Sequence, residues 1–160
     1  LLDADALNML AENRTWLSFL PSGSVLTPHP GEAKRLLGVA KFEHDYLARL
    51  AEFCQRYKIY LLLKDAISVL INPAGKFIYS DFGTPALAKG GSGDCLAGII
   101  SALMAQAYPA QEAVLLGLFL HGRAAQRASR QQGHAAAVLA SEVIDQLGWA
   151  MAELDQPIER

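Results

Sequence analysis

The chain has 160 residues, 52% hydrophobic and 19% charged, with a net charge of −2. That length predicts one domain or a piece of a larger one, and the composition supports a packed core rather than disorder. With no long basic run and no apolar stretch near the roughly 18 residues of a membrane span, nucleic-acid binding and membrane insertion are both disfavoured.

Leu1-Leu2, followed by Asp3 and Asp5, reads as a strand end running into a helix over Ala6 to Glu12. Such an opening is expected of a chain that begins inside a fold. Pro21 to Ser24 is a turn. Val25-Leu26-Thr27 is a short buried strand stopped by Pro28. Pro30-Gly31-Glu32 begins a helix that reaches Leu37 and ends at Gly38. The spacing of Leu47, Leu50, Phe53, Cys54 and Tyr57 predicts an amphipathic helix over Phe42 to Tyr57.

Ile59 to Leu63 is a continuous apolar run, as expected of a strand buried on both faces. Ser68 to Ile71 and Lys76 to Tyr79 bracket Asn72-Pro73-Ala74-Gly75 and read as a hairpin. A loop over Asp81 to Gly93 leads into a helix from Asp94 to about Ala107. Pro109 opens another helix through Arg130, and a last one runs from about Ala140 to Leu154. The closing residues from Asp155 to Arg160 are expected to fray. Strands alternating with helices predict a three-layer α/β fold with a mainly parallel sheet.

Gly90-Gly91-Ser92-Gly93-Asp94 stands directly before an apolar helix. Glycines let the backbone approach a ligand closely, and amides at a helix start attract anions. A phosphate fits there, with Asp94 as a carboxylate able to take a proton from an attacking hydroxyl. Asp94 reads equally as a helix N-cap on a glycine-rich turn. Two other loops are excluded: Lys89 is followed by Gly90 rather than Ser or Thr, against a Walker A loop. Gly91 and Gly93 are followed by Leu96, against a dinucleotide fingerprint.

With this loop, four further segments occur in order: Leu2-Asp3-Ala4-Asp5-Ala6-Leu7, Leu26 through Glu32 (Leu-Thr-Pro-His-Pro-Gly-Glu), a strand ending in Lys64, and Leu120-His121-Gly122. Together they resemble the ribokinase-like superfamily, and within it the NAD(P)HX dehydratases, the carbohydrate-kinase-like C-terminal domain of the YjeF family. The resemblance covers most of residues 1–160. It implies the C-terminal part of a three-layer αβα ribokinase-like domain, incomplete at its N-terminus.

What the resemblance implies for the site follows residue by residue. Asp94 is the catalytic base and contacts the substrate. Gly91, Ser92 and Gly93 bind the nucleotide's phosphates. His29, held between two prolines, contacts the hydrated nicotinamide nucleotide. Lys64, Asp65, Ala66, Ile67 and Ser68 occupy the place of a Lys-Gly-Ala-x-Thr segment that contacts the adenine nucleotide. Asp65 replaces the usual glycine, which puts that loop's geometry in question. Lys89 either neutralises a transferring phosphoryl group or is a solvated cation. Glu32 is expected to cap its helix, and Asp3 and Asp5 are near the site or simply turn residues.

The implied activity is ADP- or ATP-dependent dehydration of NADHX or NADPHX back to NADH or NADPH. Mg2+ would be carried mainly on the nucleotide phosphates, and the assembly would be a homo-oligomer, a tetramer by resemblance. Two rivals stand beside it: a small-molecule kinase of the same superfamily, acting on a vitamin precursor or sugar, and an inactive piece that only binds or folds. Cys54 and Cys95 form no CxxC pair, which suits a reducing cytoplasm. The histidines show no metal-binding spacing, so no protein-built metal site is expected. Cys95 is expected to be a small buried hydrophobe, although a helix start can lower a thiol's pKa. His121 is expected to be a packing residue with its hydrogen bonds satisfied.

Overall fold

A computed structural model describes residues 1–155. Helix α1 (Asp5–Glu12) leads through a 3-10 turn (Arg14–Phe19) to strand β1 (Val25–Leu26). Helices α2 (Pro30–Leu37) and α3 (Tyr46–Tyr57) precede strand β2 (Tyr60–Leu63) and the strands β3 (Ser68–Ile71) and β4 (Phe77–Ser80). Helices α4 (Ser92–Ala105), α5 (Ala110–Gln132), α6 (Ala140–Asp145) and α7 (Leu147–Ala152) follow.

The run Leu61-Leu62-Leu63 builds the three layers. Successive side chains of a strand point to opposite faces. Leu61 and Leu63 join Leu7, Leu36, Leu50 and Phe53 from α1, α2 and α3. Leu62 points the other way, into Leu96, Ile100, Val114 and Ala125 from α4 and α5. Both faces are covered, so the strand is apolar throughout, as the sequence indicated. Leu61 and Leu62 are fully buried.

The sheet order is β1-β2-β3-β4, with β1 and β2 parallel. Leu2 adds a parallel bridge to Leu26 beyond β1. Pairings β2–β3 and β3–β4 are antiparallel. The α/β layering therefore holds, but the sheet of the described residues is mixed rather than mainly parallel. The reason is connection length: Lys64 to Ile67 and Asn72 to Lys76 are too short for the crossover that parallel neighbours need. Gly75, at φ 75°, closes the hairpin, and Asn72 Oδ1 accepts from Ala74 N and Lys76 N, both at 3.0 Å.

Most element ends shift by a residue or two from expectation, and three differences stand out. α3 begins at Tyr46, not Phe42, with Asp45 as its N-cap, and Phe42 stacks on Tyr46 with ring centroids 4.4 Å apart. α4 begins at Ser92, because Gly91, at φ 84°, is the last non-helical residue. The last helix is two short ones, broken at Gln146, whose N–H bonds Val143 O in a tighter turn. The expected fraying falls largely on residues 156–160, which lie outside the described residues; Asp155 itself ends a 3-10 turn.

Candidate active site

The C-terminal ends of β1 and β2 and the N-terminus of α4 meet at one edge of the sheet. In α/β sheets this edge collects ligands, because loops diverge there. At the start of α4, Ser92 N donates to Lys89 O at 3.3 Å and Cys95 N to Gly91 O at 3.0 Å. That leaves the amides of Gly93 and Asp94 without a partner among the described residues. First-turn amides have no acceptor within their own helix, and the helix dipole adds positive potential. The loop thus presents two unpaired amides on the side of positive potential, an arrangement that attracts anions.

Asp94 is exposed in the first turn of α4. It is not the N-cap; Gly91 is, and no side chain caps this helix. The capping alternative for Asp94 is therefore corrected, and its carboxylate accepts no hydrogen bond among the described residues. A carboxylate free of local bonds at an anion-binding amide cluster is placed to accept a proton.

Lys64 directly follows β2 and turns its ammonium under the same loop. Its Nζ lies 2.7 Å from Asp3 Oδ1, and both side chains are largely buried. A Cβ at Gly93 would stand 3.2 Å from Lys64 Nζ and 3.9 Å from Asp3 Oδ2. The glycine therefore admits the ion pair to the base of the glycine loop. Asp3 is accordingly a site-supporting residue, whereas Asp5 is an exposed first-turn residue of α1.

The Asp65 substitution is accommodated. Asp65 is absent from the positive-φ residues. Its Oδ1 accepts from Ala66 N at 2.7 Å, and Ser68 Oγ donates to Asp65 O at 3.4 Å, closing the turn. Gly83 packs on this turn so closely that a Cβ there would meet Ala66 O at 2.6 Å.

These pieces surround a cavity of about 580 Å³. Lys64, Asp65, Ala66 and Ser68 form one wall, and Ser92 and Gly93 another. The loop before the glycines adds Gly83, Thr84, Pro85, Leu87, Ala88 and Lys89; Leu96, Leu118 and His121 close the apolar side. Gly91, Asp94, Ile67 and His29 are not in this wall. Ile67 is 59% exposed.

His29 stands one loop away, tied to the site through its neighbour: Lys64 N donates to Pro28 O at 2.8 Å. Its Nδ1 accepts from Gly31 N at 3.0 Å, and Glu32 Oε2 accepts from His29 N at 2.9 Å, a reciprocal cap on α2. Glu32 thus does what was expected of it. The imidazole remains half exposed, with Nε2 3.5 Å from Glu32 Oε1.

Lys89 is neither a solvated cation nor free. Its Nζ donates to the carbonyls of Ala136 and Val138, strapping the segment after α5 over the glycine loop. Cys95 Sγ lies 3.8 Å from Ala140 O in the same strap. Partial burial, then the Asp94 charge, raise the Cys95 thiol, so it is not activated. Burial pushes Cys54 up to about 12.

His121 departs from expectation. It is 4% exposed and packed as predicted, yet its Nε2 is buried with no hydrogen-bond partner. Burial lowers its pKa from 6.5 to about 4, so the ring is neutral. Helical spacing beside Leu118 marked it as core; nothing in that spacing reports a missing partner. Among the described residues no three His, Cys, Asp or Glu side chains converge as metal ligands. Nor is any described helix long and apolar enough to cross a membrane.

Layering, sheet-edge cavity and glycine loop define an α/β protein of the ribokinase-like class. An Enterococcus faecalis protein of that superfamily superposes with a TM-score of 0.80 at 26% identity, over 97% of this chain and 52% of the other. The family model described as NAD(P)H-hydrate dehydratase matches residues 1–148, and the chain belongs to that family. The Moorella thermoacetica bifunctional NAD(P)H-hydrate repair enzyme is 40% identical over 160 residues, 99% of this chain and 30% of that protein. The Neisseria meningitidis ADP-dependent (S)-NAD(P)H-hydrate dehydratase is 39% identical over 92% of this chain and 51% of its own length. A Bacillus subtilis ADP/ATP-dependent NAD(P)H-hydrate dehydratase, co-crystallised with ATP/Mg2+, gives a TM-score of 0.73 at 31% identity, covering 82% and 49% of the two chains. The chain thus spans about half or less of these relatives.

Proposed function

We propose that the chain carries the nucleotide and proton-transfer machinery of an ADP- or ATP-dependent NAD(P)HX dehydratase. The observation that supports this most is the junction at Gly93, where free helix amides, the Lys64–Asp3 pair and the exposed Asp94 carboxylate meet beside the cavity. The nucleotide occupies the cavity, with its phosphates at Gly91, Ser92 and Gly93 and its adenosine against residues 64–68. His29 contacts the hydrated nicotinamide.

The ring hydroxyl of the hydrate attacks the terminal phosphoryl group, and Asp94 takes the hydroxyl proton. The Gly93 and Asp94 amides stabilise charge developing on the transferred group, and Lys64 adds a cation beside them. The donor leaves as AMP from ADP, or as ADP from ATP. The new C–O–phosphate bond then breaks by elimination: a ring proton departs to water, its electron pair forms the ring double bond, and inorganic phosphate leaves. NADH or NADPH results. Mg2+ would be carried on the nucleotide phosphates, where it would screen their charge.

We place this activity in the cytoplasm, in keeping with the free cysteines, and in a homo-oligomer. The chain alone forms only part of the site if nicotinamide contacts come from outside it. Incubation with NADHX and ADP tests the reading: NADH, AMP and inorganic phosphate in equal amounts are expected. A stable phosphorylated product without elimination would favour the kinase instead. Failure to bind any adenine nucleotide would leave only a folding unit.

A further inference from the structure

We propose that Lys89 is a positioning residue for phosphate binding: it pins the glycine loop to the segment after α5 and so orders the helix-start amides before a ligand arrives. The inference rests on the nucleotide-binding reading above. Of the five residues from Gly90 to Asp94, three are glycine. Glycine loses more conformational freedom on ordering than any other residue. A ligand that had to order such a loop would bind more weakly for it. Contacts with residues 136–140 do that ordering in advance. Lys89 Nζ donates to the carbonyls of Ala136 and Val138, a Cβ at Gly91 would stand 3.3 Å from Ala140 Cβ, and Cys95 Sγ lies 3.8 Å from Ala140 O. These contacts flank Gly93 on both sides in sequence.

The segment is a firm mooring. Val138 is fully buried in the core with Ile100 and Val114. His134 Nδ1 accepts from Ala136 N at 3.0 Å, and Glu142 Oε2 accepts from Leu139 N at 2.7 Å. Lys89 in turn reaches the amide cluster through its backbone: Lys89 O accepts from Ser92 N at 3.3 Å, in the first turn of α4. Carbonyls at the end of a helical turn lack a partner of their own, and an ammonium bonds them more strongly than a neutral donor does. An ammonium has three N–H donors and no acceptor. With two of them held by the Ala136 and Val138 carbonyls, Lys89 is committed to the protein rather than offered to the phosphate. Its action on a ligand therefore runs through the loop.

The test joins amide hydrogen exchange to calorimetry, on the unaltered chain, Lys89→Met and Lys89→Arg. Exchange is followed without ligand at the amides of Ser92 and Cys95, which are hydrogen-bonded within the loop. In Lys89→Met both should exchange about tenfold faster, since the loop opens more readily. ADP and inorganic pyrophosphate should each bind about tenfold more weakly, because both use the same amides. Arginine, with its own donors for the carbonyls, should restore much of the protection and of the affinity. Titrations run well below the Tm, where a loss of global stability alone leaves affinity unchanged. Weaker binding with unchanged exchange in the methionine variant would overturn the proposal and make Lys89 a direct phosphate contact. Faster exchange with unchanged affinity would overturn it too, leaving Lys89 a structural pin and the nucleotide reading intact. If the unaltered chain bound neither ADP nor pyrophosphate, the nucleotide reading would fall and this inference with it.

Discussion

Lys64 shows how one side chain joins structure to chemistry. Its pairing with Asp3 at 2.7 Å joins the start of the chain to the end of β2, and Gly93 leaves room for both. Lys64→Met removes the cation and leaves the Asp3 carboxylate partly buried without a counter-charge. A loss of about 1.5–3 kcal/mol is expected, the range for hydrogen bonds to charged groups. Chemical denaturation measures it, and ADP affinity should fall in the same variant. His121 gives a pH signature. Its folded pKa is depressed to about 4, while the unfolded ring titrates near 6.5. Between those values the unfolded chain binds the extra proton, so His121 lowers stability as pH falls from about 6.5 to about 4 and not above. Denaturation midpoints across that window should slope by up to one proton more in the unaltered chain than in His121→Leu; identical slopes would contradict the depressed pKa.

Among elements, those bounded by local chemistry were legible in the sequence. α2 starts at Pro30 and stops at Gly38, which takes the left-handed conformation at φ 70°. β2 announced itself by an unbroken apolar run. Elements shaped by distant contacts were not legible. The 3-10 turn Pro85–Leu87 forms because Ala86 is buried and Thr84 caps it, so its cavity-lining residues read only as a loop. Lys89 finds its acceptors 47 and 49 residues further on, beyond the reach of any local pattern. The packing of α5 on the Phe82 loop is another such contact. Phe82 and Phe119 meet edge to face at 5.3 Å, and Gly122 lies against the Phe82 carbonyl. Gly122→Ala should cost about 1–3 kcal/mol through overpacking and displace the loop that walls the cavity. Thermal unfolding and ADP titration of that variant check both effects.

At the scale of the whole molecule, the fold gathers residues from Asp3 to His121 at one sheet edge. Its two cores, one on each face of the sheet, hold the strands that carry Lys64 and the helix that carries Asp94. The resemblance read from the sequence pointed to this candidate site through motifs that end strands or begin helices, and those ends converge in a layered sheet. It could not reveal that Asp94 stands free while Gly91 caps the helix, since a carboxylate beside glycines fits either role. That freedom is the central claim, and one assay addresses it: NADH recovered from NADHX and ADP by the unaltered chain and by Asp94→Asn at equal fold stability. With Asp94 as the base, the amide should lower turnover about 100- to 10,000-fold while ADP still binds. Undiminished turnover in Asp94→Asn would contradict the account.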